Sequence, residues 1–193
     1  IQSYLGQMET LLLDRGLRGS ESGSEVRDLA RARTLATLAE ADRTRKRRVM
    51  QFLWESNLIK RERPIISLRG ADLREADLTR MQLTDTSLLG ANLEAADLSG
   101  SAMCILRGSS KTLIEASDKG VDPQSLMKPV AVSTLAMTNL RNAKLKGTDL
   151  RGVDLHWSDL SGADLSGARV FDEQLDKCDS LSGATLPNRP QSL

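Results

Sequence analysis

Aromatic side chains make up only 3% of this 193-residue chain, too few for a conventional globular core and few for stacking against nucleic-acid bases. The single histidine, His156, has no second imidazole with which to build a metal site or a triad. Cys104 and Cys178 stand far apart in sequence. They make neither a disulfide framework nor a zinc site of their own, and they fit a reducing compartment. The uncharged stretch Pro129–Leu140 falls well short of the ~20 residues a membrane helix needs. No signal peptide is read at the start, because "IQSYLGQMETLLLDRG" meets charge almost at once. Glycine-rich phosphate loops of the GxGxxG or GxxxxGK(S/T) kind are missing as well. Net charge is only +1, which announces no global field for nucleic acid or an anionic membrane. It is unevenly spread: residues 1–64 hold 13 Lys and Arg against 9 Asp and Glu, and residues 65–193 hold 14 against 17.

What the chain has instead is a leucine that returns at every fifth residue. One run is centred on Leu68, Leu73, Leu78, Leu83, Leu88, Leu93, Leu98 and Met103. A second is centred on Leu135, Leu140, Leu145, Leu150, Leu155, Leu160, Leu165 and Val170. Two places before most centres stands a small residue, such as Ala71, Ala76, Ala91, Ala143 or Ala163. Five is neither the helical period of about 3.6 nor the strand period of 2. A leucine-rich helix is therefore excluded, because this period walks around it and glycine would weaken it. A chain that turns a corner every five residues winds into a coil, and stacked coils bury a column of leucines. Glycines two places after the centre, including Gly70, Gly90, Gly152 and Gly167, suit tight corners. Met81, Thr86 and Val153 break the small-residue rule and predict locally wider corners.

The segments "GADLREADL", "GANLEAADLSG" and "SGADLSGA" resemble the pentapeptide-repeat family, with its A(D/N)Lxx consensus. The resemblance implies a mainly β solenoid, a right-handed quadrilateral β-helix with four units per coil and about four coils here. Leu68, Leu73, Leu78, Leu83, Leu88, Leu93 and Leu98, with Leu140, Leu145, Leu150, Leu155, Leu160 and Leu165, are expected to form its interior.

Before the repeats, residues 1–64 predict an α-helical N-terminal cap. Its first helix carries Leu5, Met8, Leu11 and Leu12, with Gly16 as a stop. Its second has Ser22 and Glu25 as a capping box, followed by Val26, Leu29, Ala30, Ala36 and Leu38. Its third starts at Asp42, carries Val49, Met50, Phe52 and Leu53, and leaves through Asn57. The cap is expected to cover the open end of the prism, which otherwise presents unpaired backbone. The segment "LLLDRGLRGSESGSEVRDLARARTLATL" resembles the region before the repeats in a bacterial subgroup of the family. Longer members carry membrane helices upstream, which implies a cytoplasmic domain of a membrane-tethered parent.

The solenoid is expected over residues 65–170, interrupted by an insertion at about 104–132. Within the insertion "KTLIEASDKG" predicts a short helix, and Asp122, Pro123 and Pro129 bound another. Glu173 falls where a small inward residue belongs, so the coil is expected to end near Val170. Residues 171–193 then form a capping helix and tail, with Asp172 as the helix cap.

No reactive set converges. His156 and Cys104 both fall one place after a centre, which points them outward, and the repeat-phased Asp72, Asp77 and Asp97 read as turn-forming, solubilising residues. The reading is a non-catalytic protein–protein interaction scaffold, not an enzyme, with no cofactor, metal or small-molecule substrate. The expected location is cytoplasmic, with membrane contact only through a segment upstream. Arg43, Arg45, Lys46, Arg47 and Arg48 form a basic run that either meets an anionic partner or is the wet face of the third helix. No aromatics interleave with it, so nucleic acid is disfavoured and the solvated face is the preferred reading. The alternative is a DNA-mimic inhibitor of the type II topoisomerase gyrase, which some pentapeptide-repeat proteins are. Mimicry needs acids aligned along one face. Asp149, Asp154, Asp159 and Asp164 fall in successive units, which makes a girdle, diluted by Arg74, Lys144 and Arg151.

Overall fold

The computed structural model describes residues 1–60, 64–107 and 128–187. Parallel backbone bridges join Asp72 to Asn92 and Asp77 to Asp97, twenty residues on. Five-residue units with a twenty-residue return give four units per coil. Between the second and third coils the return lengthens to 47, as in Asn92 to Asn139, because the insertion intervenes. Four columns result, and two of them run Asp72, Asn92, Asn139, Asp159 and Asp77, Asp97, Lys144, Asp164. Each leucine named above as interior is at most 1% exposed. Met81, Thr86 and Val153 also point inward and are buried, so the coil accepts larger side chains at that position.

One hydrogen-bond pattern repeats throughout. The central N–H donates to the carbonyl of the coil above, as Leu73 to Asn92 at 2.7 Å and Leu93 to Asn139 at 2.7 Å. The preceding N–H donates to the coil below, as Asn92 to Ala71 at 2.9 Å. Corner amides donate upward too, as Glu75 to Glu94 at 2.9 Å. The expectation of a mainly β chain needs correction at this point. Each side offers a single bridged residue per coil before the next corner, too little for an extended strand. Among the described residues the one pair of regular strands belongs to the insertion: β1 (Cys104–Arg107) runs antiparallel to β2 (Lys128–Val132). That stem was not expected, since its two arms lie too far apart in sequence for a turn signal to join them. The predicted helix at Lys111–Gly120 and the cap at Asp122 lie outside the described residues, while Pro129 sits in β2.

Three helices precede the coils: α1 (Gln2–Leu13), α2 (Glu25–Glu40) and α3 (Arg43–Glu55). Tyr4, Met8 and Leu11 form the buried stripe of α1, and Gly16 leaves it with a φ of 61°. The N-cap of α2 is Ser24, not Ser22, and its side chain makes no capping bond. The buried stripe of α2 is Ala30, Thr34 and Leu38, whereas Leu29 and Ala36 face outward. The Tyr4 hydroxyl bonds the Thr34 hydroxyl at 2.9 Å and joins α1 to α2. Asp42 caps α3 by accepting from the Arg45 N–H at 2.8 Å. Asn57, with a φ of 56°, ends it, and the Leu58 N–H returns to the Leu53 carbonyl at 2.9 Å.

These helices meet the first coil at its edge. A carbonyl one place after the centre normally accepts from the coil beneath, and the first coil has none. Side chains of the helices take that place at all four corners. Arg31 donates to the Arg69 carbonyl at 2.9 Å, Lys46 to Arg74 at 2.9 Å, Arg47 to Thr79 at 2.9 Å, and the Trp54 indole to Thr84 at 3.4 Å. These four bonds cover corner carbonyls at which another chain could otherwise pair.

At the other end the expected stop near Val170 is corrected. A four-residue helix, α4 (Asp172–Leu175), interrupts the winding, with Phe171 as its N-cap and Asp172 as its first residue. Bridges from Asp159 to Ser180 and Asp164 to Thr185 then rebuild two sides of a fifth turn, one residue out of phase. Gln174 closes the gap between them, donating to the Leu150 and Val153 carbonyls at 2.7 Å each.

Candidate functional site

The acidic side chains serve the corners first. Asp72, Asp77, Asp97, Asp159 and Asp164 each accept the backbone N–H two residues on, at 2.9 to 3.1 Å. Asn92 and Asn139 do the same at 3.1 Å. Such a bond favours the charged carboxylate. The Arg74 side chain, with its backbone N–H and the charge of Lys46, holds the Asp72 carboxyl down to about 2. Hydroxyl bonds from Thr79, Ser161 and Ser166 lead the lowering at Asp77, Asp159 and Asp164. Asp149, Asp154, Asp159 and Asp164 fall in four different columns. Basic partners stand beside them: Arg151 at 2.6 Å from Asp149 and Arg141 at 3.4 Å from Asp159. Asp97 is flanked by Arg43 at 3.3 Å and Lys144 at 3.9 Å.

The basic run divides along α3, and its reading as one solvated or interacting face is corrected. Lys46 is 5% exposed and is held by the Asp72 carboxylate at 3.4 Å as well as the Arg74 carbonyl. Arg47 is held by Asp77 and Thr79. Arg43 reaches Asp97, while Arg45, near Asp42, and Arg48 face solvent. Two of the five are thus bound into the first coil's edge, because α3 lies against that edge.

His156 is half-exposed, with its Nδ1 at 2.6 Å from Asp154. Cys178 is half-buried, and burial pushes its thiol up, away from reactivity. Among the described residues no group of three His, Cys, Asp or Glu side chains is placed to hold a metal ion. No helix among them is long and apolar enough to cross a membrane. A cleft of about 720 Å³ lies along α1, lined by Leu5, Leu12, Leu13, Phe52 and their neighbours.

Sequence reasoning missed the feature that the corners themselves display. Fourteen corner residues have a positive φ, and half of them are not glycine. Most of those are polar or small: Glu75, Arg80, Asp85, Ala95 and Asn142. Met137 and Trp157 are the exceptions, each at a φ of 56°. They occupy one corner of adjacent coils, and the Met137 N–H donates to the His156 carbonyl at 2.8 Å. Met137 is 50% exposed and Trp157 64%. The His156 ring meets Trp157 edge-on with centroids 5.8 Å apart. A bulky residue in the left-handed region costs about 1–2 kcal/mol. Neither side chain recovers that cost by burial, which makes the pair a candidate binding surface. The signal was in the sequence: these are the two large apolar residues in a position otherwise held by glycine, polar residues and alanine.

The family model for pentapeptide repeats matches residues 66–101 and 135–170, in 8 copies. No curated protein matches the chain. Among solved structures, the chain is similar to a pentapeptide repeat protein of the Arabidopsis thaliana thylakoid lumen. Identity is 19%, coverage is 66% of this chain and 67% of that one, and the TM-score is 0.39. A pentapeptide repeat protein involved in heterocyst differentiation regulation in the cyanobacterium Nostoc is 22% identical over 66% of this chain and 63% of its own, with a TM-score of 0.28. A plasmid-mediated fluoroquinolone resistance protein is 16% identical over 68% of this chain and 72% of its own, with a TM-score of 0.24. None of these likenesses transfers a role. The repeat match, the four-unit coils and the stacked leucines agree: residues 66–101 and 135–170 of this chain are pentapeptide repeats.

Proposed function

We propose that this chain is a non-catalytic interaction scaffold: a right-handed quadrilateral β-helix, closed below by its helices, that binds a protein through the Met137–Trp157 corner. The observation that carries this reading is two large apolar side chains held outward in a disfavoured backbone conformation, side by side on adjacent coils. Interfaces draw much of their energy from Trp anchors, and Met adds an adaptable contact. The face leading into this corner presents Ser87, Thr134 and Asp154. It is poor in charge, as the centre of an interface should be. The insertion stem leaves the coil at the other border of that same face, after Met103. Excursions from a solenoid often mark the binding side.

Asp149, Asp154, Asp159 and Asp164 are dispersed over four columns, and the column richest in acid, Asp77, Asp97 and Asp164, is broken by Lys144 and paired with Arg43 and Arg47; both features weigh against a DNA mimic. Photo-crosslinking in cells tests the interaction reading. A photoreactive residue at position 137 should capture another polypeptide, whereas one at Asn142, on the next corner, should not. Absence of any adduct at 137 would sink it.

A further inference from the structure

The corner that carries Met137 and Trp157 reads Gly70, Gly90, Met137, Trp157 from the first coil to the fourth. Its lower half is flat and its upper half is bulky. Beside it, one place earlier, run Arg69, Leu89, Ala136 and His156. Arg69 is exposed in the first coil, and Asp154 stands beside His156 in the fourth. We propose that this corner pairs with the same corner of a second copy, antiparallel, about a two-fold axis between the second and third coils. The proposal rests on the reading of the corner as a binding surface and names its partner.

The register follows from shape. A two-fold at that height sets Trp157 of each copy on Gly70 of the other and Met137 on Gly90. A side chain at either glycine would block the approach; a Cβ built there meets nothing within its own chain, so the space is open to a visitor. The same axis brings Arg69 beside the other copy's Asp154 and over the face of its Trp157, where charge pairing and cation–π attraction act together. Parallel pairing is the competing arrangement. It would set Arg69 against Arg69 and Trp157 against Trp157, so like charge and steric bulk both oppose it. His156 bonds Asp154 and packs edge-on to the indole, which holds both groups in place before association. An isologous interface of this kind needs each patch to complement itself, and a half-flat, half-bulky corner does so. Four coils at ~4.8 Å spacing give a strip about 19 Å long. That lies at the small end of interface sizes, so the dimer is a weak one.

Sedimentation velocity of the full chain at roughly 100 μM and roughly 1 μM brackets the range in which a micromolar complex assembles. Dimer should appear at the higher concentration and vanish in Met137→Gly/Trp157→Gly at both. Glycine is favoured at a positive φ, so that variant keeps the fold. Arg69→Glu should weaken the dimer about tenfold. Three coil spacings of ~4.8 Å separate positions 69 and 157, too far for a disulfide within one chain. Under oxidation, Arg69→Cys/Trp157→Cys should therefore form crosslinked dimers above the level of the parent chain, while Trp157→Cys alone should not. Monomer at both concentrations, a dimer that survives the glycine variant, or self-crosslinking of Trp157→Cys would each overturn the pairing. If the chain stays monomeric while a crosslinker at 137 captures a different protein, the pairing falls and the interaction reading stands. If 137 captures nothing and no dimer forms, both fall.

Discussion

Aspartate one place before a leucine is as much a backbone element in this molecule as a side chain. Its carboxylate accepts the N–H two residues on and closes the corner from outside, while the leucine fills it from inside. The charge state of these acids is thereby tied to the fold. Asp72 is held at about 2 against an ordinary value of 3.8, and Asp77, Asp159 and Asp164 are lowered as well. A depressed folded value stabilises above the unfolded value and loses that contribution as pH falls through the folded one. Thermal midpoints should thus decline as pH drops from about 4 to about 2, and Asp72→Asn should flatten part of that decline. A midpoint indifferent to pH across that window would show that the corner bonds work equally well with neutral acids. At this scale the sequence was informative. Period five, the small residue and the leucine together specify the inward pair, and the structure buries both. It was less informative about Met137 and Trp157, because a left-handed corner is recognised through glycine and half of these corners lack it.

Among the elements, α3 departs furthest from its sequence. A run of five basic residues in six positions reads as a wet helical face, yet Lys46 is buried against the first coil. No local pattern could have told Lys46 from Arg48. The difference arises from a coil edge nearly thirty residues away whose carbonyls have nothing beneath them. Lys46→Met keeps the length of the side chain and removes its donor. It leaves the Arg74 carbonyl unpaired and Asp72 without one of its cations. Chemical denaturation should report a loss of about 1–3 kcal/mol. Arg48→Met, on the exposed side of the same helix, should change stability by less than about 0.5 kcal/mol. Equal effects would mean that the helix rests on the coil without satisfying it. The tail was misread for a related reason. Leu181 and Leu186 keep the five-residue spacing, but α4 shifts them by one position, and a fixed phase counted from Leu165 passes over them.

For the whole molecule, the four-sided coil separates tasks by position: leucines hold it together, acids close its corners, helices seal its first edge, and one corner is left bulky and apolar. Mixed charge on the columns argues against competition for a groove built for polyanion. Purified gyrase should supercoil DNA at an unchanged rate with this protein at low micromolar concentration; inhibition abolished by neutralising Asp149 and Asp164 would reverse that conclusion. The division of labour itself rests on Met137 and Trp157 serving binding at the expense of the fold. The thermal midpoint of Met137→Gly/Trp157→Gly tests this most directly. Relief of two left-handed residues, set against the chain entropy of two added glycines, should leave the midpoint unchanged or raise stability by about 1 kcal/mol. A fall of several degrees would contradict the account, because it would show that the two side chains hold the coil together.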